Sequence, residues 1–340
     1  MATPTARTPD LSPALSALGR CVGEEQRFLA DAFTRSPHRF SGGGFDDLLS
    51  LADVDDQLSG AGLRRPAVRL VRDGEVLDPS SWTRRARTGA VWIDDLVHPA
   101  RTLALFADGA TIVLQSLHRW WPRIAMFCRE LEGALGHAVQ ANAYLTPPGA
   151  AGLTPHHDTH DVFVLQVHGT KHWVIREPLV EAPLDRHRSD HELAAEQTVL
   201  LEADMAPGDC LYLPRGYIHS AAAQEGVSLH LTIGVLATTV HDLLRRVVDG
   251  TADDPTFRRA LPPGHASDVA TARTVIKDAI AALTDWLDGV DVDALGDGLV
   301  ESAARRRSPL LDGQLLDLAG LADIDDASVL VRRQGVVPRY

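Results

Sequence analysis

Residues 139–235 read as a succession of short strands, VQANAYLTP, DVFVLQVHG, KHWVIREP, TVLLEADM, DCLYLPRG and VSLHLTIGV, with glycine and proline recurring in the connections. Runs of this length, with little room for crossover helices, specify a small antiparallel barrel or jelly roll rather than a parallel sheet. Two places in this stretch concentrate chemistry: His156-His157-Asp158 in PGAAGLTPHHDTHD, and His219 in GDCLYLPRGYIH, 61 residues after Asp158. In a strand or at its mouth, residues two apart point to the same side, so His156 and Asp158 can grip one ion while His157 turns away. His219 must approach from a neighbouring strand. Two imidazoles and one carboxylate are the donor set of a mononuclear non-haem iron site with open coordination positions. Among the crowded local acids and histidines only His156 and Asp158 have this spacing, since His160 and Asp161 are adjacent. Zinc can occupy such donors, but nothing else in the sequence marks a hydrolytic zinc protein.

The chain has 340 residues, enough for one large core or two to three domains, and its 45% apolar and 23% charged content is that of an ordinary globular protein. A formal net charge of -13 argues against a broad basic surface for nucleic acid and favours basic polypeptide partners. Cys21, Cys128 and Cys210 are odd in number, widely spaced and without a CxxC pair, as expected of reduced structural thiols. The opening MATPTARTPDLSPALSALGR lacks the apolar core of a signal peptide, and no later run is suited to span a bilayer. A cytoplasmic location is therefore expected.

Residues 1–20 read as a loose arm, and short helical patterns follow from Leu29 through Leu58, interrupted by SPHRFSGGGF. PAVRLVRDGEVL and TGAVWI read as strands, with Asp73-Gly74 as a hairpin turn. LALFADGATIVLQSL reads as strand, Asp108-Gly109 turn, then strand or short helix, and Trp121 to Leu135 has the spacing of an amphipathic helix. Phe163, Leu165 and Val167 alternate as core positions. After Leu236 the pattern is helical again, in TTVHDLLRRVVDG and TVIKDAIAALTDWLDGV, with a final hairpin expected in DDASVLVRRQGVVPRY.

The blocks NAYLTPPGAAGLTPHHDTHDVFVLQVHGTKHW and GDCLYLPRGYIHSAAAQEGVSLHLTIG resemble the JmjC-type cupins of the ribosomal oxygenase group. The resemblance runs from about Leu48 to the C-terminus. It implies a fold that is mainly β with helical additions: a double-stranded β-helix (jelly roll), then a helical dimerisation region and a winged-helix-like C-terminal domain. The divisions expected are an N-terminal arm and helices over 1–45, the JmjC/cupin catalytic domain over 46–236, a helical linker and dimerisation region over 237–275, and the winged-helix-like domain over 276–340.

Members of that group are Fe(II)- and 2-oxoglutarate-dependent hydroxylases that consume dioxygen. By resemblance His156, Asp158 and His219 match the iron ligands, Lys171 matches the basic residue that pairs with the far carboxylate of 2-oxoglutarate, and Asn142 and Ser228 fall where residues help hold that cosubstrate. A dicarboxylate chelating metal at one end needs a cation at the other, which supports Lys171 independently. His157 departs from the tyrosine often found between the two proximal ligands. Trp173 is expected to pack the barrel or border the pocket, and Tyr212 and Arg215 to contact substrate or brace the turn before His219.

The activity implied is hydroxylation of an arginine or histidine side chain of a basic ribosomal protein by a homodimer, with nucleic acid not the primary substrate and no membrane partner. The clusters Arg305-Arg306-Arg307 and Arg332-Arg333 are the local basic exceptions. The competing readings are a tailoring oxygenase of a peptide natural product or small metabolite, and a ribosome-associated cupin binding module without turnover.

Overall fold

The computed structural model describes residues 15–60, 62–150, 154–187, 190–307, 311 and 313–329. These fall into two compact units, one built on residues up to Leu236 together with those from 308 onward, the other on Ala237–Arg307. Residues 151–153 of the approach to His156, Arg332-Arg333 and most of the expected final hairpin lie outside the described residues.

In the first unit, α1 (Ala17–Val22) and α2 (Glu25–Asp31) precede β1 (His38–Ser41), α3 (Leu51–Gly60) and the hairpin of β2 (Val68–Arg72) and β3 (Glu75–Val76). A second hairpin, β4 (Thr83–Thr88) and β5 (Val91–Val97), leads to α4 (Pro99–Ala107), β6 (Thr111–Leu114), α5 (Leu117–Trp120) and α6 (Pro122–Leu135). Then follow β7 (Ala138–Thr146), β8 (Asp161–His168), β9 (Lys171–Arg176), α7 (His191–Glu196), β10 (Val199–Met205), β11 (Asp209–Leu213), β12 (Ile218–Ala223) and β13 (Ser228–Leu236). The large sheet runs β1-β11-β8-β13-β7-β6-β2-β3 and a smaller one β10-β9-β12, with antiparallel pairing throughout. This is the expected double-stranded β-helix.

Side-chain alternation divides the large sheet into two faces. Phe163 and Leu165 of β8 and Leu229, Leu231, Ile233 and Val235 of β13 join Leu18, Phe28, Ile124 and Leu131 from the helices, and Phe45 from the loop after β1, in the main core. Val162 and Val164 turn the other way and meet Trp173, Ile175 and Met205 of the small sheet. Each fully buried Leu, Ile or Phe contributes about 2 kcal/mol. Both faces of β8 are covered, which is why DVFVLQV is almost continuously apolar.

Several sequence expectations change. LALFA is helical in α4, where Pro99 at the first turn favours a helix start. SPHRF supplies the edge strand β1, so the segment before residue 45 belongs to the main sheet, and α1, capped by Ser16, is part of the core rather than a loose arm. IHSAAA forms β12, unrecognised because alanine carries little strand preference. The Asp73-Gly74 turn is as expected, both residues having positive φ (51° and 81°). All three cysteines are buried and free.

Tyr212 ties β11 to the amino-terminal segment: its hydroxyl donates to Asp161 Oδ2 (3.0 Å) and accepts from the Thr34 backbone N–H (2.9 Å). The other oxygen of Asp161 accepts from the Arg215 backbone N–H (2.9 Å). Tyr212 and Arg215 thus brace the turn. Tyr212→Phe leaves a donor and an acceptor without their partner and is expected to lower stability by about 1–3 kcal/mol. The shift of the urea midpoint, with an unchanged slope, measures it.

The second unit holds α8 (Val240–Asp249), α9 (Val269–Leu287) and α10 (Val292–Arg306), and α11 (Gln314–Ala319) lies beyond it. Thr239 and Asp242 close a capping box on α8. The expected boundary at 275/276 falls inside α9. Among the described residues after Leu236 there are helices and no strands, so only the helical part of the winged-helix expectation is seen. No helix among them is long and apolar enough to cross a membrane.

Candidate metal centre and its cavity

His156 and His219 form an isolated antiparallel bridge: the His156 N–H donates to the His219 carbonyl (3.2 Å) and the His219 N–H to the His156 carbonyl (2.8 Å). Such reciprocal bonding places the two residues directly opposite each other. Their ring centroids are 4.4 Å apart. Asp158 is held by its own carbonyl, which accepts from the Gly216 N–H (3.0 Å) at a φ of +91°. Its Oδ2 lies 3.7 Å from His219 Nε2, and one donor atom from each of the three residues falls within 4.8 Å of the others.

Hydrogen bonds orient both rings. His156 donates through Nδ1 to the Thr154 carbonyl (2.7 Å), and His219 through Nδ1 to the Tyr217 carbonyl (3.1 Å). This leaves both Nε2 lone pairs for an ion. Burial, then neighbouring His219, pushes His156 down to about 4, so the ring is neutral at physiological pH. Burial opposes ionisation of Asp158, yet the surrounding imidazoles, His219 foremost, outweigh it and hold the carboxyl below its ordinary range. The neutral His156 ring and the ionised Asp158 carboxylate need no proton loss before binding a cation. The residues fit a divalent metal.

These side chains line a cavity of about 280 Å³ whose walls include Arg69, Asp73, Thr111, Tyr144, Lys171, Trp173, His230 and Thr232. Lys171 is 3% exposed, and its ammonium donates to Thr146 Oγ1 (3.1 Å). No carboxylate pairs with it among the described residues. Burial lowers its pKa to about 8. His230 stacks on Tyr144 (centroids 5.0 Å apart, planes within 4°) and meets the edge of Trp173. Burial, then the Lys171 charge, keeps it neutral.

The structure brings His156, Asp158, His219 and Lys171 to one cavity. Asn142 and Ser228 are not among its lining residues. Asn142 Oδ1 accepts from the Ser116 N–H (2.9 Å), and Ser228 Oγ accepts from Gln166 Nε2 (2.9 Å). Both nonetheless share the inward face of their strands: the wall residues missed from sequence, Tyr144, His230 and Thr232, and Thr146, the partner of Lys171, lie two or four positions away on β7 and β13. The period of two was the available signal. His157 Nε2 donates to the His187 carbonyl (3.2 Å), away from the cavity, and Trp173 borders it.

Residues 117–243 match the family model described as the JmjC domain. The chain carries a JmjC domain related to those of the ribosomal oxygenases. It is 32% identical over 218 residues to "Ribosomal oxygenase 1" of Rattus norvegicus, covering 58% of this chain and 36% of that protein. It is 29% identical over 239 residues to "Ribosomal oxygenase 2" of Mus musculus, covering 67% of this chain and 50% of that protein. The JmjC chain thus spans half or less of the length of these two relatives. The X-ray structure of E. coli ycfD aligns over 76% of this chain and 68% of its own, with 17% identity and a TM-score of 0.48.

Proposed function

We propose that this JmjC protein is an Fe(II)- and 2-oxoglutarate-dependent dioxygenase that hydroxylates an arginine or histidine side chain of a ribosomal protein. The observation that carries this reading is one cavity lined both by the His156, Asp158, His219 donor set and by the buried ammonium of Lys171, which has no acid partner among the described residues. In β9 and β12 the register pairs Lys171 with Ala223 and Ile175 with His219, so four residues, about 13 Å of strand, separate the two features. A dicarboxylate that must be gripped at both ends suits such a spacing. Bound iron and 2-oxoglutarate would supply the oxidising power of dioxygen, releasing succinate and carbon dioxide and placing a hydroxyl on an unactivated carbon.

The chain's residues hold and aim these groups. His156, Asp158 and His219 present the three donors, and Lys171 with Thr146 meets the far carboxylate; Asn142 and Ser228 support that end through Tyr144 and Gln166. Val162, Val164 and Trp173 keep one wall dry.

The net charge of -13 favours encounter with a basic ribosomal protein over a nucleic-acid substrate. Leu244 and Val248 of α8 and Ile276 and Ile280 of α9 are exposed apolar residues suited to a homodimer contact, and a cytoplasmic location accords with this reading. The tailoring-oxygenase and binding-module readings find no support in the names of the relatives.

Intact-mass measurement of ribosomal proteins from wild-type and deletion cells tests the proposal. One protein is expected to be lighter by one oxygen atom in the deletion, and to regain it when the enzyme, but not His156→Ala, is added back with Fe(II) and 2-oxoglutarate. Identical masses in both strains would overturn it.

A further inference from the structure

β2 contributes a wall to the cavity that the iron and cosubstrate do not account for. Arg69 and Val71 alternate onto its inner face, and both line the cavity together with Asp73 of the turn that follows. In successive register Arg69 pairs with Val113, Val113 with Tyr144, and Tyr144 with His230, so Arg69 stands in the same cross-strand row as the aromatic floor. Its charge reaches Tyr144: burial pushes that hydroxyl up while the Arg69 guanidinium pulls it down. Yet Arg69 Nε is buried with no hydrogen-bond partner, and no acid pairs with the guanidinium among the described residues.

A buried guanidinium N–H without an acceptor is destabilising, and one that faces a ligand cavity is answered when the ligand brings an oxygen. The cosubstrate is not the better match. The charges of a ferrous ion and Lys171 already balance Asp158 and the two carboxylates of 2-oxoglutarate, so Arg69 adds a positive charge that the keto acid does not neutralise. Asp73, in the turn that closes β2, lines the same cavity and carries the opposite charge, so this wall does not repel a cationic target side chain.

We propose that Arg69 is a target-positioning residue, donating to a carbonyl or carboxylate oxygen of the polypeptide being hydroxylated. This rests on the reading of the site as a protein hydroxylase. The guanidinium fork fixes an acceptor's direction as well as its distance, so it orients the target chain over the metal while Asp73 leaves room for a basic side chain beside it.

The test uses the full chain as wild type, Arg69→Met and Arg69→Lys. Thermal melting and Mn(II) titration establish folding and an intact donor set. The Mn(II)-loaded proteins are then titrated with 2-oxoglutarate, and each variant is assayed on ribosomal proteins extracted from deletion cells, counting oxygen incorporated against succinate formed. For Arg69→Met we expect 2-oxoglutarate affinity within about twofold of wild type, a KM for the target raised about tenfold or more, and less oxygen incorporated per succinate, with Arg69→Lys between the two. A tenfold loss of 2-oxoglutarate affinity would reassign the acceptor to the keto acid and overturn the inference. So would wild-type target KM and coupling in Arg69→Met. If the wild-type protein itself adds no oxygen to the pool, the hydroxylase reading fails and this inference falls with it.

Discussion

Asp158→Ala is expected to lower succinate formation by at least about a thousandfold, roughly 4 kcal/mol of lost transition-state stabilisation. Asp158 is the only anion of the donor set and sits among His156, His219, His157 and His160, whose fields keep it ionised despite burial. Without it the donor set keeps two imidazoles and no anion. Losing a mere supporting hydrogen bond to a ligand typically weakens metal binding 10- to 100-fold, and losing the charged ligand itself should do more. Mn(II) titration should therefore show the loss directly, separately from turnover. The bridge that joins His156 to His219 uses backbone atoms only, so the strand pairing and the melting temperature should survive the substitution. Unimpaired decarboxylation by Asp158→Ala would remove the metal centre from the proposal.

The metal centre was legible in the sequence because its geometry is local. Two residues apart in an extended chain fixes His156 beside Asp158, and the glycine and proline of LPRGYIH force a tight turn that delivers His219 from the next strand. The alternation of Phe163, Leu165 and Val167 likewise marked them as core, though with Val162 and Val164 equally apolar it left open which side of β8 meets the helices. The cavity's remaining walls were not legible in this way. Whether Arg69 faces the site depends on the register of β2 with β6 and of β6 with β7, where Arg69 pairs with Val113, 44 residues on, and Val113 with Tyr144, 31 residues on, pairings that no short pattern encodes. β12 escaped notice for a different reason: IHSAAA pairs with β9 through its backbone, its place fixed by the His156–His219 bridge at one end and Ala223 opposite Lys171 at the other. Helix α4 was misread as a strand because Leu103, Leu105 and Phe106 suit either period, and Pro99 decides between them.

Lys171→Met separates what the buried ammonium does for binding from what it does to the fold. The charge-assisted contact it offers a carboxylate is worth about 3 kcal/mol, so the variant's affinity for 2-oxoglutarate should fall on the order of 100-fold in titrations of the Mn(II)-loaded protein. In the absence of cosubstrate the outcome reverses. The wild-type ammonium is buried against Thr146 with no counter-ion among the described residues, whereas a methionine fills the same channel without a charge, so the variant should melt at a higher temperature. The pH dependence fixes the cause. Burial lowers Lys171 from its ordinary 10.5 to about 8, so between those values the unfolded chain holds a proton that the folded chain has released, and wild-type stability from this group rises with pH across that window. Below about 8 both states carry the charge and the destabilisation is at its full value. The melting advantage of Lys171→Met should therefore be constant below pH 8 and shrink as the pH is raised toward 10.5. Cosubstrate binding should follow the opposite course, because only the ammonium grips a carboxylate: wild-type affinity declines as pH rises through about 8, while the weak binding of Lys171→Met stays level. A variant that binds 2-oxoglutarate as tightly as wild type across this range would show that the far carboxylate is held elsewhere.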